Sequence, residues 1–350
     1  MVDAMCRELE LRDGEAAAGG AWATVYFGGG TPSLLSPKQV GQLFAAAEAL
    51  RPVAEGAEVT LEANPDDLSA EALAAFAKTR VNRLSIGVQS FRGSDLRFMN
   101  RAHTAGQAEA CIRAAQAAGF ANLTIDLIYG SPGLSDADWQ RNLEKAIELG
   151  VPHVSAYALT VEPRTALAHQ IARGQRAPLD EAQAARQMEL AVALLTGAGY
   201  EHYEVSSFAL PGRRARHNSN YWLGEPYVGV GPSAHSYDGA RTRSWNVAHN
   251  ARYTAAIGTG ELPSTGETLS DRDRYHELVL TRLRTVWGVP LEDVRALGFE
   301  AHFLREVGPL IARGQVEERG GVYGLTPAGR MVADGVSLAL FAGEEEEVRA

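Results

Sequence analysis

Over its first two hundred residues the chain alternates short β-branched or aromatic runs with longer Ala/Leu/Glu-rich segments, and this alternation constrains the fold more than any other feature. Runs at 23–27, 59–62, 83–88, 123–129 and 153–159 predict five strands. Strands separated by helix-length segments read as βαβ units feeding a parallel sheet. The punctuation agrees. Ser36, Pro37 and Gln39 offer a hydroxyl N-cap, a proline at the first helical position and a reciprocal side chain, ahead of an apolar face at Val40, Leu43, Phe44 and Ala47. Ser135 and Asp138 can cap a later helix whose Trp139, Leu143 and Ile147 face inward, ending at Gly150 before Pro152.

From about Tyr203 the texture turns aromatic, Gly-rich and basic, and from about Ser270 it turns helical again. The organisation predicted is a barrel-like domain at 1–202, a connecting layer at 203–269 and a smaller C-terminal domain at 270–350. In the last, a helix over 275–284 and a terminal strand-and-turn resemble a winged-helix α+β module, with Glu277, Leu278 and Leu283 as helix packing. The acidic run at 344–347 reads as a solvated tail. A formal charge of −10 argues against a chain that holds nucleic acid through its overall field. No segment approaches the ~18 to 20 uninterrupted apolar residues of a spanning helix, and the charged start lacks a signal peptide's apolar core. A cytoplasmic location is expected.

In a barrel of parallel strands the working residues gather at the C-terminal ends of the strands. Here those ends carry Gly28-Gly29-Gly30-Thr31, then Glu62-Ala-Asn-Pro65, Gln89-Ser-Phe91, and Asp126 ahead of Tyr129-Gly130. Consecutive glycines let backbone groups approach a ligand, or simply make a tight turn. Glu62, Gln89 and Asp126 can each cap a loop or touch a ligand. All of these sets arrive at one rim.

The segments Tyr26-Phe-Gly-Gly-Gly-Thr-Pro-Ser-Leu-Leu35, Glu62-Ala-Asn-Pro65, Ser85-Ile-Gly-Val-Gln-Ser-Phe91, Asn100-Arg-Ala-His103 and Ile125-Asp-Leu-Ile-Tyr-Gly130 resemble the core of the radical S-adenosylmethionine proteins related to oxygen-independent coproporphyrinogen III oxidase. The resemblance covers nearly the whole chain. It implies an α/β fold, a partial (β/α) barrel, with S-adenosylmethionine beside a [4Fe–4S] cluster. It assigns Gly29, Gly30 and Thr31 to the methionyl end, Glu62, Gln89, Arg101 and Asp126 to further cofactor contacts, and Ala158 to the adenosyl part. A zwitterionic, cationic ligand suits carboxylates, carbonyls and one Arg. Further on, His217-Asn-Ser-Asn-Tyr-Trp222 resembles the HNxxYW signature of the family's heme-chaperone branch. An imidazole can ligate heme iron while Tyr221 and Trp222 cover the macrocycle, or the same residues can form a hydrogen-bonded corner. Gly229-Val-Gly-Pro-Ser-Ala-His-Ser236 resembles the family's glycine loop, with His235 either loop structure or a second porphyrin contact.

One departure matters. The family carries its cluster on a CxxxCxxC loop after the first barrel strand, whereas this sequence holds only Cys6 and Cys111. It opens in a helix over 3–11 similar to the one that follows that loop. The expectation is a barrel lacking its first strand, unable to assemble the cluster by itself, with a late start codon favoured over an evolved loss. The function expected is a heme chaperone that passes heme to hemoproteins, including peripheral contact with membrane-bound ones, and that binds a small-molecule cofactor. The alternatives are an oxygen-independent coproporphyrinogen III oxidase and an unrelated barrel enzyme with Glu62 and Asp126 as an acid/base pair.

Overall fold

The computed structural model of the chain describes residues 1–12 and 20–343, so the acidic run at 344–347 lies outside the described residues. The chain forms two compact units, one of Thr24–Gly41 and Gly56–Ala215, the other of Met1–Ala23, Gln42–Glu55 and Arg216–Ala350.

The elements up to the end of the first unit are α1 (Val2–Leu11), β1 (Trp22–Phe27), α2 (Pro37–Leu50), β2 (Val53–Ala63), α3 (Ala70–Phe76), β3 (Arg83–Gln89), α4 (Gly93–Phe98), α5 (Ala105–Ala117), β4 (Leu123–Tyr129), α6 (Asp136–Glu148), β5 (His153–Ala158), α7 (Ala166–Ala172), α8 (Glu181–Gly197), β6 (Glu201–Glu204) and β7 (Ser207–Ala209). Seven strands form one sheet in the order β1-β2-β3-β4-β5-β7-β6. Strands β2 to β5 run parallel, β7 pairs antiparallel with β5, and β6 pairs antiparallel with β7 and so runs in the direction of the parallel set. This is the expected partial barrel, and all five expected strands are present. The caps expected of two helices form as well: Ser36 and Gln39 exchange hydrogen bonds, and the Asp138 amide donates to Ser135 Oγ.

Parallel strands covered on both faces read as continuous apolar runs. These strands alternate instead. Val59 and Leu61, Leu84, Ile86 and Val88, Leu123, Ile125 and Leu127, and Val154 and Ala156 are buried on one face. The residues between them, on the opposite face by the two-residue strand period, include Glu58, Thr60, Glu62, Arg83, Gln89, Thr124, Asp126, His153 and Ser155. Toward the strands' N-terminal ends several of these polar groups pair with one another, while Thr60 Oγ1 and His153 Nδ1 are buried without a hydrogen-bond partner. Buried Arg83 donates to Asn122 Oδ1 at 2.7 Å and Thr124 Oγ1 at 2.5 Å, and the His153 Nε2 to Tyr203 hydroxyl distance is 2.8 Å.

The second unit continues with α9 (Arg216–Leu223), β8 (His235–Tyr237), β9 (Thr242–Asn246), α10 (Asn250–Gly258), β10 (Ser264–Thr268), α11 (Asp271–Arg282), β11 (Val289–Pro290), α12 (Leu291–Ala296), α13 (Glu300–Ala312), β12 (Val316–Arg319), β13 (Val322–Leu325), α14 (Pro327–Arg330) and α15 (Ala333–Ala339). Its sheets run β10-β9-β8 and β11-β13-β12. The sequence α11, β11, α12, α13, β12, β13 is the winged-helix order expected of the C-terminal part. Tyr275, Val279, Leu283, Phe299, Phe303 and Leu310 fill its core, with Leu278 packed against it. Helix α11 starts earlier than expected because Ser270 and Asp273 form a capping box. Glu277 of α11 forms a two-bond ion pair with Arg243 of β9, at 2.8 and 2.9 Å, which ties the helix to that strand.

Candidate functional site

At the end of β1, Gly29 and Gly30 take φ of +73° and +65°, and the direction a side chain would take from either is open. Their requirement for glycine is conformational. Gly28 differs, since a Cβ there would sit 2.4 Å from the Tyr26 ring. Tyr26 donates its hydroxyl to Glu62 Oε1 at 2.6 Å, and the Gly29 amide donates to Glu62 Oε2 at 3.1 Å. Glu62 at the end of β2 thereby fixes the glycine loop. Burial, followed by the Glu62 charge, pushes the Tyr26 phenol far above its ordinary value. Thr31 precedes the short helical turn Pro32–Leu34.

Strand β3 ends in Gln89 at φ +66°, a left-handed conformation that strains a non-glycine residue. The following turn holds it there. The Phe91 amide donates to Asn142 Oδ1 at 2.8 Å and Ser90 Oγ to Asp95 Oδ2 at 2.8 Å. Gly87 makes room for the side chains around it: a Cβ there would lie 2.8 Å from Gln89 Nε2 and 3.2 Å from Arg101 Nη2. Arg101 donates to Asn64 Oδ1 at 2.7 Å and to the Gly87 carbonyl at 3.2 Å. Asn64 is itself oriented, since its amide donates to Asp67, which also accepts from Ser33 Oγ.

Asp126 lies mid-strand on β4, opposite Ser155 of β5 in register. Burial, then the Glu62 charge, pushes its carboxyl up to about 7, against the opposing pull of the Ser155 hydrogen bond and the Arg101 and Arg83 charges. Gly29, Glu62, Gln89, Arg101 and Asp126 therefore belong to one constellation within the first unit, with Gly30 and Thr31 in the same loop. Ala158 is exposed at the end of β5, opposite Tyr129 of β4. Sequence reasoning passed over Tyr26, Asn64 and Gly87, although the two-residue alternation from Tyr26 to Gly28 and from Gly87 to Gln89 marks their face.

In the second unit, α9 carries His217 and Tyr221 one helical turn apart. His217 Nε2 and the Tyr221 hydroxyl lie 2.9 Å apart, the rings edge to face at 86°. Tyr221 is 45 % exposed and meets Tyr227 edge to face, with ring centres 4.8 Å apart. Tyr227 and Tyr237 exchange backbone hydrogen bonds at 3.0 and 2.9 Å, which extends the aromatic row onto β8. Burial pushes the His217 imidazole down to about 4, so it is neutral at pH 7 and retains a lone pair. Trp222 is half-buried, about 100° further round the helix. His235 is exposed and tilted over Trp245 at 6.1 Å. The glycines before it serve packing. A Cβ at Gly229 would collide with the His235 carbonyl and one at Gly231 with Met5.

The two thiols are poor candidates for ligands. Burial pushes Cys111 up to about 12, and burial followed by Asp3 raises Cys6. Among the described residues no group of three or more His, Cys, Asp or Glu side chains is arranged to hold a metal ion. The residues present do not fit a [4Fe–4S] cluster, which is held by several thiolates.

Residues 8–157 match the family model of the radical SAM superfamily, and 269–332 that of the HemN C-terminal domain. The chain is 40 % identical over 319 residues to heme chaperone HemW of Mycobacterium tuberculosis, covering 91 % of this chain and 80 % of that protein. It is 32 % identical over 329 residues to heme chaperone HemW of Escherichia coli, covering 92 % and 84 %. The solved structure of coproporphyrinogen III oxidase (HemN) from Escherichia coli superposes with a TM-score of 0.80 over 97 % of this chain and 82 % of that one, at 22 % identity, a likeness of fold. On this sequence relationship the chain belongs to the HemW family, within the radical SAM superfamily.

Proposed function

We propose that the protein is a heme chaperone that binds heme on α9 and passes it to hemoproteins in the cytoplasm, peripheral contact with membrane-bound recipients included. The observation that carries this reading is the His217–Tyr221 pair: a neutral imidazole beside a part-exposed phenol, at the head of a row of aromatic rings. His217 supplies the iron ligand, and Tyr221 and Trp222 cover the apolar macrocycle. The names of the relatives point the same way. No helix among the described residues is long and apolar enough to cross a membrane.

The rim of the first unit is the site we propose for S-adenosylmethionine, and its residues fit that cofactor. Open space lies in front of the Gly29 and Gly30 backbone, Gly87 leaves room for the Gln89 and Arg101 side chains to lie across it, and carboxylates with one oriented Arg face a ligand carrying both charges. Gly29, Gly30 and Thr31 would hold the methionyl end, Glu62, Gln89, Arg101 and Asp126 would make further contacts, and Ala158 would pack beside the adenosyl group. S-adenosylmethionine supplies radical chemistry when it is bound to a reduced cluster, and no step proposed for these 350 residues passes through one.

Titration of the protein with hemin tests the chaperone reading. A Soret shift is expected, weakened by His217→Ala, and absence of hemin binding would remove the reading. Calorimetric titration with S-adenosylmethionine tests the rim separately, with Arg101→Ala expected to abolish the binding heat.

A further inference from the structure

Resting on the heme reading of α9, the geometry points to a second role for Tyr221 beyond covering the macrocycle. Its hydroxyl oxygen lies 2.9 Å from Nε2 of His217, the rings edge to face with their centres 4.9 Å apart. In either imidazole tautomer that oxygen occupies the hydrogen-bonding position at Nε2, as donor to its lone pair or as acceptor of its proton. Iron approaching Nε2 must come in along the same line, so the two partners exclude each other at this nitrogen.

We propose that the Tyr221 hydroxyl competes with heme iron for Nε2 of His217, making Tyr221 the positioning residue that keeps the iron–imidazole bond exchangeable. The phenol stays close by after displacement, because its ring is braced edge to face by Tyr227 and sits one helical turn from His217. A ligand held this way is bound against a standing competitor built into the same helix. Such competition lowers affinity and favours release, and release is what handing a cargo onward requires.

The test uses the full chain with ferric heme, metal-free protoporphyrin IX and an apo-hemoprotein as generic acceptor. Tyr221→Phe keeps the ring and removes the oxygen. It is expected to bind hemin about fivefold more tightly and to release it to the acceptor about fivefold more slowly, the factor for one ordinary hydrogen bond. The Soret position should stay that of the unmodified protein, since the ligand is unchanged. Protoporphyrin IX, which presents the same macrocycle without iron, should bind both proteins alike. Hemin affinity unchanged or weakened in Tyr221→Phe overturns the proposal, and so does an equal gain toward protoporphyrin IX, which would locate the effect in stacking. His217→Ala separates the two levels of the argument. If it leaves hemin binding and spectrum intact, the heme reading of α9 itself fails and the competition falls with it.

Discussion

Tyr26 and Glu62 share a 2.6 Å hydrogen bond, and because the Gly29 amide takes the other carboxylate oxygen, one side chain ties β1, the glycine loop and the end of β2 together. Tyr26→Phe keeps the ring that Gly28 packs against and removes the donor. A part-buried carboxylate oxygen then lacks its partner, a loss of about 1–3 kcal/mol in unfolding free energy. Urea denaturation at pH 7 reads it, and a change of only a few tenths would mean that water replaces the phenol at no cost.

Gly87→Ala should separate folding from binding. The new Cβ would meet Gln89 Nε2 at 2.8 Å and Arg101 Nη2 at 3.2 Å, both the far ends of long side chains that can swing aside, Arg101 by giving up its hydrogen bonds to Asn64 and the Gly87 carbonyl. The melting temperature should move little. The proposed S-adenosylmethionine affinity should fall about tenfold or more, since Arg101 and Gln89 leave their positions and a charge-assisted hydrogen bond is worth about 1.5–3 kcal/mol. Calorimetric titration beside a thermal melt checks both halves.

What the sequence makes legible is whatever repeats locally. The five long strands follow from their apolar runs, and the caps at Ser36 and Ser135 from residue types three positions apart. Strands β6 and β7 were missed because four and three residues carry no periodicity to read. The start of β2 was missed because residues such as Glu55 and Gly56 are exposed and polar. In the site, Glu62 and Gln89 stand at strand ends as the strand-end argument expects, Asp126 lies mid-strand beside them, and Arg101, named only by the family resemblance, comes from the loop after α4, yet the left-handed backbone of Gln89 leaves no mark in its residue type. Asn64 and Tyr26 matter through partners 37 and 36 residues away, a relationship only the fold creates.

The same holds for Glu8. Fully buried on α1, it accepts from Arg12 at 2.8 Å, Asn246 at 2.7 Å, the Gly231 amide at 2.8 Å and Tyr253, so the helix is locked to β9 and α10 by one satisfied carboxylate. Removing one partner of a buried ion pair strands the other charge. Glu8→Ala should cost about 3–5 kcal/mol, whereas Glu8→Met combined with Arg12→Met should recover much of the loss. Chemical denaturation of the single and double variants decides it, and a double variant no better than the single would show that the hydrogen bonds outweigh the charge.

Asp126 links stability to pH with an unusual sign. Its carboxyl is pushed up to about 7 from an ordinary value of 3.8, so between those limits the native state holds a proton that the unfolded chain has lost. Its contribution is therefore most favourable below pH 4, declines as pH rises toward 7 by up to about 1.4 kcal/mol per unit, and is constant above. Asp126→Asn should flatten that decline in urea titrations at pH 5, 6 and 7.5. A cationic ligand at the rim reverses the preference, because it favours the ionised carboxylate. On the proposed reading, S-adenosylmethionine affinity rises between pH 5.5 and 7.5 and binding near pH 6.5 releases a proton, measurable from calorimetric heats in buffers of different ionisation enthalpy. Affinity that is level across that range in the unmodified protein would place Asp126 outside the cofactor's field, and would reduce its elevated carboxyl to a consequence of burial beside Glu62.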